Sequence, residues 1–384
     1  MRKYIIASIF LVVVVFSLAA LIKYPPYQKQ QPITIKENMT LRHISERNDV
    51  PLESLVSLLD PEERRDFVTT YKIIHTPLRQ QNIEKSRINA AIKEARAGGI
   101  PAKAVIPYIL WSIVIAAAGV FLLRRKNINK IRRIWLIFTV IVFGFIFGAS
   151  PNPMEVIVRF HKLVKGIPGN PLILVTFSVV IVTLLSLIGS RMLCSWGCPL
   201  GALQESLHNI PVFQRFKKKH KFSFAASIAV RITLYTVFFL LLFGILNINQ
   251  GGPGSILYHH FNLFKVFTPY QLAPFTVLLI PVFLAASFLS FRPFCHTICP
   301  FGLWAWLFEK GALYTVQKVN PEDCTDCGLC EEACPTEAMN AMNEEKKGFF
   351  KPDCWSCGNC IAACPRGILE FTRTSKQRPG KNPR

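Results

Sequence analysis

Six apolar runs organise the chain: 4–22, 105–123, 134–150, 172–190, 225–246 and 274–291. Crossing the hydrocarbon core of a bilayer takes roughly 17–25 apolar residues in helix. The pattern therefore predicts an α-helical membrane bundle of about six transmembrane helices. Asp and Glu nearly vanish from 105–308, where Glu155 and Glu205 are the two acids, both expected in loops. Arg231 falls near the start of the fifth run, close enough to the preceding basic loop to snorkel. Trp304 and Trp306 read as interfacial anchors.

Between runs one and two, residues 24–104 show shorter amphipathic patterns. Thr40 suits an N-cap, and Val50-Pro51 suits the start of a second helix. A longer helical pattern follows from Pro61 to about Ala97. This segment is expected to be a small helical domain, acting as a docking module or a spacer.

Lys and Arg then set the orientation. Arg124, Arg125, Lys126, Lys130, Arg132 and Arg133 lie between runs two and three. Arg191, Arg215, Lys217, Lys218, Lys219 and Lys221 lie between runs four and five. The opposite connections hold Arg159, Lys162, Lys165 and Lys265. Basic loops stay in the cytoplasm, so six spans put both termini there and 24–104 outside. Met-Arg-Lys before the first run also fits a signal peptide, with Ser17 and Ala19 as a cleavage site. No polar region follows Ala19, which favours an uncleaved anchor.

Composition sharpens this picture. The 384 residues are 51% hydrophobic, carry a formal charge of +22 and include 12 Cys. Disordered chains, collagens and small disulfide scaffolds are excluded. The positive charge does not imply nucleic-acid binding. Residues 320–372 hold ten acids and four bases, so that domain is −6 and the remainder +28. A nucleic-acid binder would concentrate basic charge on its soluble part.

The cysteines carry the chemistry. Cys324-x2-Cys327-x2-Cys330-x3-Cys334-Pro335 is followed by Cys354-x2-Cys357-x2-Cys360-x3-Cys364-Pro365. This is the spacing of a bacterial two-cluster ferredoxin, whose fourth thiolate comes from the other motif. Cys324, Cys327, Cys330 and Cys364 are expected to hold one [4Fe–4S] cluster, and Cys354, Cys357, Cys360 and Cys334 the other. Zinc ribbons use two separated Cys-x2-Cys pairs, and cytoplasmic disulfides are rare.

A second motif is duplicated at an offset of 101 residues. Arg191-Met-Leu-Cys194-Ser-Trp-Gly-Cys198-Pro199 matches Arg292-Pro-Phe-Cys295-His-Thr-Ile-Cys299-Pro300. Each copy closes a hairpin unit of two spans, and the copies are parallel about an axis along the membrane normal. The prolines suit the first turn of a helix, which puts Cys198 and Cys299 at helix N-termini, where a dipole favours thiolate. Cys194, Cys198, Cys295 and Cys299 are therefore candidates for a third metal or Fe–S site, a redox-active thiol pair, or an inert structural turn. Arg191 and Arg292 are either snorkelling anchors or groups that tune this charge. His161, His259 and His260 at outer span ends are candidate quinone contacts, against simple solvation. The absence of Cys-x-x-Cys-His excludes covalent haem c, and no nucleotide motif is present.

The paired Cys-x3-Cys-Pro motifs followed by a double-cluster module resemble the NapH/NosR-type membrane polyferredoxins over about 134–372. The stretch Pro151-Asn-Pro-Met also looks like this family. The resemblance implies electron transfer between the quinone pool and redox partner proteins such as a reductase, a cytochrome or a ferredoxin. It also implies a multi-pass protein of the bacterial inner membrane with a cytoplasmic ferredoxin domain. The outer segment lacks the Ser/Asp-Gly-Ala-Thr motif that attaches FMN in NosR-like proteins, so FMN is not expected. Two other readings share these features: an accessory protein of copper and oxidase maturation, and an Fe–S or thiol redox sensor. The expected organisation is an anchor (1–23), the outer helical domain (24–104), the bundle (105–310), the ferredoxin-like α+β domain (318–372) and a basic tail (373–384).

Overall fold

The computed structural model describes residues 33–97 (except 49, 51, 61, 64–66 and 82), 102–124, 128–164, 172–210, 221–242 (except 222), 261–269, 274–345 and 350–374. The first apolar run, the basic cluster 215–219, His259, His260 and the tail beyond Thr374 lie outside the described residues.

Four short helices come first: α1 (Leu41–Asn48), α2 (Leu52–Val56), α3 (Phe67–His75) and α4 (Lys85–Ala97). The Thr40 hydroxyl accepts from the His43 N–H at 3.2 Å and caps α1. Leu41, Ile44, Leu55, Ile88 and Ile92 close a core of their own. The long helix expected over 61–97 is broken. Pro77 cannot donate to a helix and disfavours helical geometry before it. A short 3-10 turn (Leu78–Gln80) follows, and the Leu78 N–H bonds to Met39 O at 2.9 Å instead.

The bundle contains α5 (Ala102–Arg124), α6 (Ile128–Thr139), α7 (Pro153–Val164), α8 (Leu172–Gly189), α9 (Pro199–His208), α10 (Phe224–Leu242), α11 (Pro274–Leu289), α12 (Pro293–Thr297) and α13 (Pro300–Glu309). A π-helical stretch, Val140–Ile146, extends α6. Apolar runs two to six thus each form a helix. Of the described helices, one (Ile106–Arg124) is by itself long and apolar enough to cross a bilayer. Helix α11, with 16 residues, reaches about 24 Å. The helices nevertheless share an exposed apolar belt, including Ile109 and Ile113 on α5, Ile137 and Phe145 on the α6 unit, Val180 and Leu184 on α8, and Leu278 and Val282 on α11.

Both acids expected in loops are helical. Asn152 caps α7 by accepting from the Met154 and Glu155 N–H groups at 3.1 and 3.2 Å. Glu155 lies in the first turn of α7, and Glu205 is buried in α9.

The ferredoxin lobe comprises β1 (Tyr314–Lys318), α14 (Leu329–Ala333), α15 (Ala338–Asn343), α16 (Asn359–Ala363) and β2 (Leu369–Arg373). The strands pair antiparallel with Val316 opposite Phe371, and both side chains face inward. The lobe is seated on the bundle. Leu313 N–H donates to Leu187 O at 2.7 Å, and Trp196 Nε1 donates to Ser356 O at 3.0 Å. Gly358 packs so tightly that an added Cβ would stand 2.8 Å from Leu122 and 2.9 Å from Ile128.

Candidate iron–sulfur centres

The two ferredoxin motifs each turn into a short helix through a glycine with left-handed backbone, Gly328 (φ 72°) and Gly358 (φ 85°). This bend wraps three cysteines around one point. Cys324, Cys327 and Cys330 line one cavity of about 180 Å³, and the fourth cysteine there is Cys364 from the other motif. Cys354, Cys357 and Cys360 line a tighter cavity of about 20 Å³ together with Cys334. All twelve cysteines are free. Among the described residues, no three His, Cys, Asp or Glu side chains gather closely enough for a single metal ion. Each ferredoxin set rings a cavity instead.

The two cavities differ in environment. Cys327 is exposed, and Cys324 and Cys330 are half-buried. Cys334, Cys357 and Cys360 are buried at the seam with the bundle. Burial pushes the Cys357 thiol up to about 11, against the pull of Arg132. Cys354 and Cys360 are raised too, first by burial. Bare thiols there are protonated at neutral pH, so loading a metal group must release protons. The donor set fits a [4Fe–4S] cluster in sulfur type, number and crossed connectivity.

Cys194, Cys198, Cys295 and Cys299 are all buried in the bundle, and Arg292, from the second motif, ties the two copies by donating to the Cys194 carbonyl. Cys198 and Cys299 are the N-caps of α9 and α13, and Gly201 N–H reaches Cys198 Sγ at 3.5 Å. At Gly197 the first pair also lies away from the seam with the lobe. Trp111 Nε1 donates to Gly197 O at 2.7 Å, whereas Leu122 on the same helix meets Gly358. Those two α5 positions are separated by about 16 Å along the axis. The Cys194–Cys198 segment, a π-helix over Leu193–Gly197, folds back into the bundle.

The arginines before each pair are not surface anchors. Arg191 and Arg292 are fully buried. Arg191 pairs with Asp353 at 2.9 Å and Glu309 at 3.3 Å, and donates to Gly302 O in the other repeat. Arg292 pairs with Glu205 at 2.6 Å and donates to the carbonyls of Cys194 and Ser195. Each arginine thus crosses to the opposite copy of the motif. Arg231 does not snorkel either; it is buried and reaches Asp353 Oδ2 at 2.8 Å. Arg132 completes the network on Glu205 at 2.6 Å. Trp306 is buried and donates to Lys351 O, and Trp304 donates to Thr183 Oγ1, so both serve packing inside the protein.

His161 is buried on α7 rather than solvated in a loop. Its Nδ1 bonds to Ile157 O at 2.7 Å, and its Nε2 bonds to the Tyr235 hydroxyl at 2.6 Å. Burial lowers its pKa. Sequence reasoning missed Asp353, Glu205, Glu309 and Arg132. The scarcity of acids in the bundle was the usable signal for Glu205, because a lone carboxylate there must be paired.

Three sequence families match the chain. Two, each described as a 4Fe-4S dicluster domain, cover residues 323–369 and 293–338. A 4Fe-4S binding domain covers 170–220 and 272–310, the segments that carry the Cys-x3-Cys-Pro pairs. An uncharacterised protein of Methanocaldococcus jannaschii is 24% identical over 41% of this chain and 63% of its own length. The methylamine utilization ferredoxin-type protein MauN of Methylorubrum extorquens is 25% identical over 63% of this chain and 81% of its own length. The regulatory protein NosR of Pseudomonas aeruginosa is 22% identical over 56% of this chain and 31% of its own length. The chain spans under two thirds of the length of the first of these relatives. No solved structure matches. The chain is a low-identity homologue of the ferredoxin-type 4Fe–4S proteins, and its resemblance to the polyferredoxins holds.

Proposed function

We propose that the chain is a membrane-bound electron-transfer protein that moves single electrons between a ferredoxin lobe and the quinone pool or a redox partner protein. The observation that carries this reading is the crossed lining of the two cavities by Cys324, Cys327, Cys330, Cys364 and by Cys334, Cys354, Cys357, Cys360. Each set holds one [4Fe–4S] cluster, which supplies reversible one-electron chemistry. The four buried thiols Cys194, Cys198, Cys295 and Cys299 hold a third iron–sulfur centre, a reading supported by the 4Fe-4S binding domain matched there. Arg191 and Arg292 offset the negative charge of its four thiolates, and Glu205, Glu309 and Asp353 keep the arginines ionised and fixed.

The apolar belt and the basic connections support a multi-pass arrangement in the inner membrane, with the ferredoxin lobe in the cytoplasm and the α1–α4 domain outside. Asp353, Trp355 and Ser356 at the seam are buried, which would keep water from the transfer route. His161 and Tyr235 form the polar pair where a quinone head group would exchange protons. The test is reconstitution into lipid nanodiscs, reduction of the clusters with dithionite, and addition of a soluble ubiquinone. Recovery of the oxidised cluster absorbance is expected. Clusters that stay reduced with excess quinone would overturn the reading.

A further inference from the structure

Trp355 and Ser356 stand between two cysteines of the second motif, Cys354 and Cys357, and both line the tighter cavity. They are 2% and 1% exposed. Among the described residues, neither the Trp355 Nε1–H nor the Ser356 Oγ–H finds an acceptor. An unmet buried donor is costly and rare. Two in one thiol-ringed cavity point to an acceptor that the cavity is built to receive. Arg191 and Arg292 lie against the Trp355 ring, 4.8 and 5.1 Å from its centre.

The first motif is dressed differently at the same positions. Between Cys324 and Cys327 lie Thr325 and Asp326, both exposed. Asp326 Oδ1 sits 3.4 Å from Cys324 Sγ, so a carboxylate stands beside that ligand.

We propose that Trp355 and Ser356 donate hydrogen bonds to the sulfur of the cluster held by Cys334, Cys354, Cys357 and Cys360, making it the higher-potential cluster of the lobe. This rests on the two-cluster reading above. Adding an electron makes a thiolate-ligated cluster more negative. Hydrogen-bond donors and fixed cations favour that state, and a neighbouring carboxylate disfavours it. Burial alone works the other way, because low dielectric penalises added charge. At the buried cluster Glu309, Asp353 and Glu205 offset the guanidiniums, and Glu309 accepts the Cys354 N–H at 2.9 Å, so it is the two donors that take the place of water there. With both clusters bound, one electron would pass from the Cys324 set, oxidising it, to the Cys354 set, reducing it, with no bond or proton exchanged. Electrons entering at the exposed end of the lobe settle on the bundle side.

The test is a potentiometric titration followed by EPR on the purified full-length protein, with iron and acid-labile sulfide measured on each sample. Two couples are expected from the lobe, besides that of the bundle centre, and the shifts below refer to these two. Trp355→Phe keeps the ring and removes the N–H. It is expected to lower the higher couple by about tenfold in the reduced-to-oxidised ratio, about 59 mV for one electron. Ser356→Ala is expected to act on the same couple in the same direction, and Asp326→Asn to raise the lower couple. Variants that leave the higher couple in place, or that shift the lower one instead, would overturn the proposal. Wild-type protein with iron for fewer than two clusters would fail the two-cluster reading itself.

Discussion

Asp353 is the keystone of the seam between lobe and bundle. Its carboxylate takes Arg191 at 2.9 Å and Arg231 at 2.8 Å, and all three side chains are buried. Burial works to raise the Asp353 carboxyl, but the two guanidiniums hold it below its ordinary value. Asp353→Ala leaves two buried cations short of a partner. An opposite pair at about 4 Å is worth roughly 4 kcal/mol at an effective dielectric of 20, and breaking a buried pair from one side costs about 3–5 kcal/mol. The energy falls on docking of the lobe, so the open population should rise roughly 10²- to 10⁴-fold. Hydrogen exchange reads this at two amides: Leu313, bonded to Leu187 O, and Cys354, bonded to Glu309 Oε1. Glu322→Ala, an exposed acid of the same lobe, should change exchange little, within about 0.5 kcal/mol. Removing one cation as well, in Asp353→Ala/Arg231→Met, should restore part of the protection. If Asp353→Ala exchanges like Glu322→Ala, the seam is not held by this network.

Two further outcomes follow from the same geometry. Glu205 is driven up by burial, yet Arg132 and Arg292 hold its carboxyl below the ordinary 4.5. Its contribution is therefore present above pH 4.5 and lost as pH falls through the lower folded value. Glu205→Gln should lower the thermal midpoint at pH 7, and the gap to wild type should close in acid; a constant gap would contradict the pairing. At the two motif glycines, Gly328→Ala has open space and should cost the left-handed strain alone, about 1–2 kcal/mol. Gly358→Ala should cost more because its Cβ meets Leu122 and Ile128. Iron release to a chelator, compared between the two variants, checks this order.

The helices of the bundle were legible because runs of apolar residues bounded by basic loops leave few alternatives, and five of the six runs appear as helices over nearly the expected residues. The grouping of the cysteines was legible because their spacing matches the two-cluster ferredoxin pattern, in which the fourth thiolate comes from the other motif, and the two cavities are lined by the same groups. The arginines were not. A basic residue at the end of an apolar run ordinarily snorkels, and nothing local to Arg191 or Arg231 reveals that Asp353, 162 and 122 residues further along, reaches back to them. The same holds for α7 and for the Cys194–Cys198 segment, whose inward course depends on contacts such as Trp111 with Gly197. Pairing of buried charges is a property of the packed fold, so a sequence shows the need for a partner without showing which one answers it.

Three iron–sulfur centres running from the exposed lobe into the bundle, as proposed, fix the metal content of the chain. Iron and acid-labile sulfide per chain on anaerobically purified protein, with Mössbauer spectra to fix cluster type, test this. About twelve irons and about twelve sulfides, all with cubane signatures, are expected. About eight of each, unchanged when Cys194, Cys198, Cys295 and Cys299 are all replaced by Ser, would contradict it.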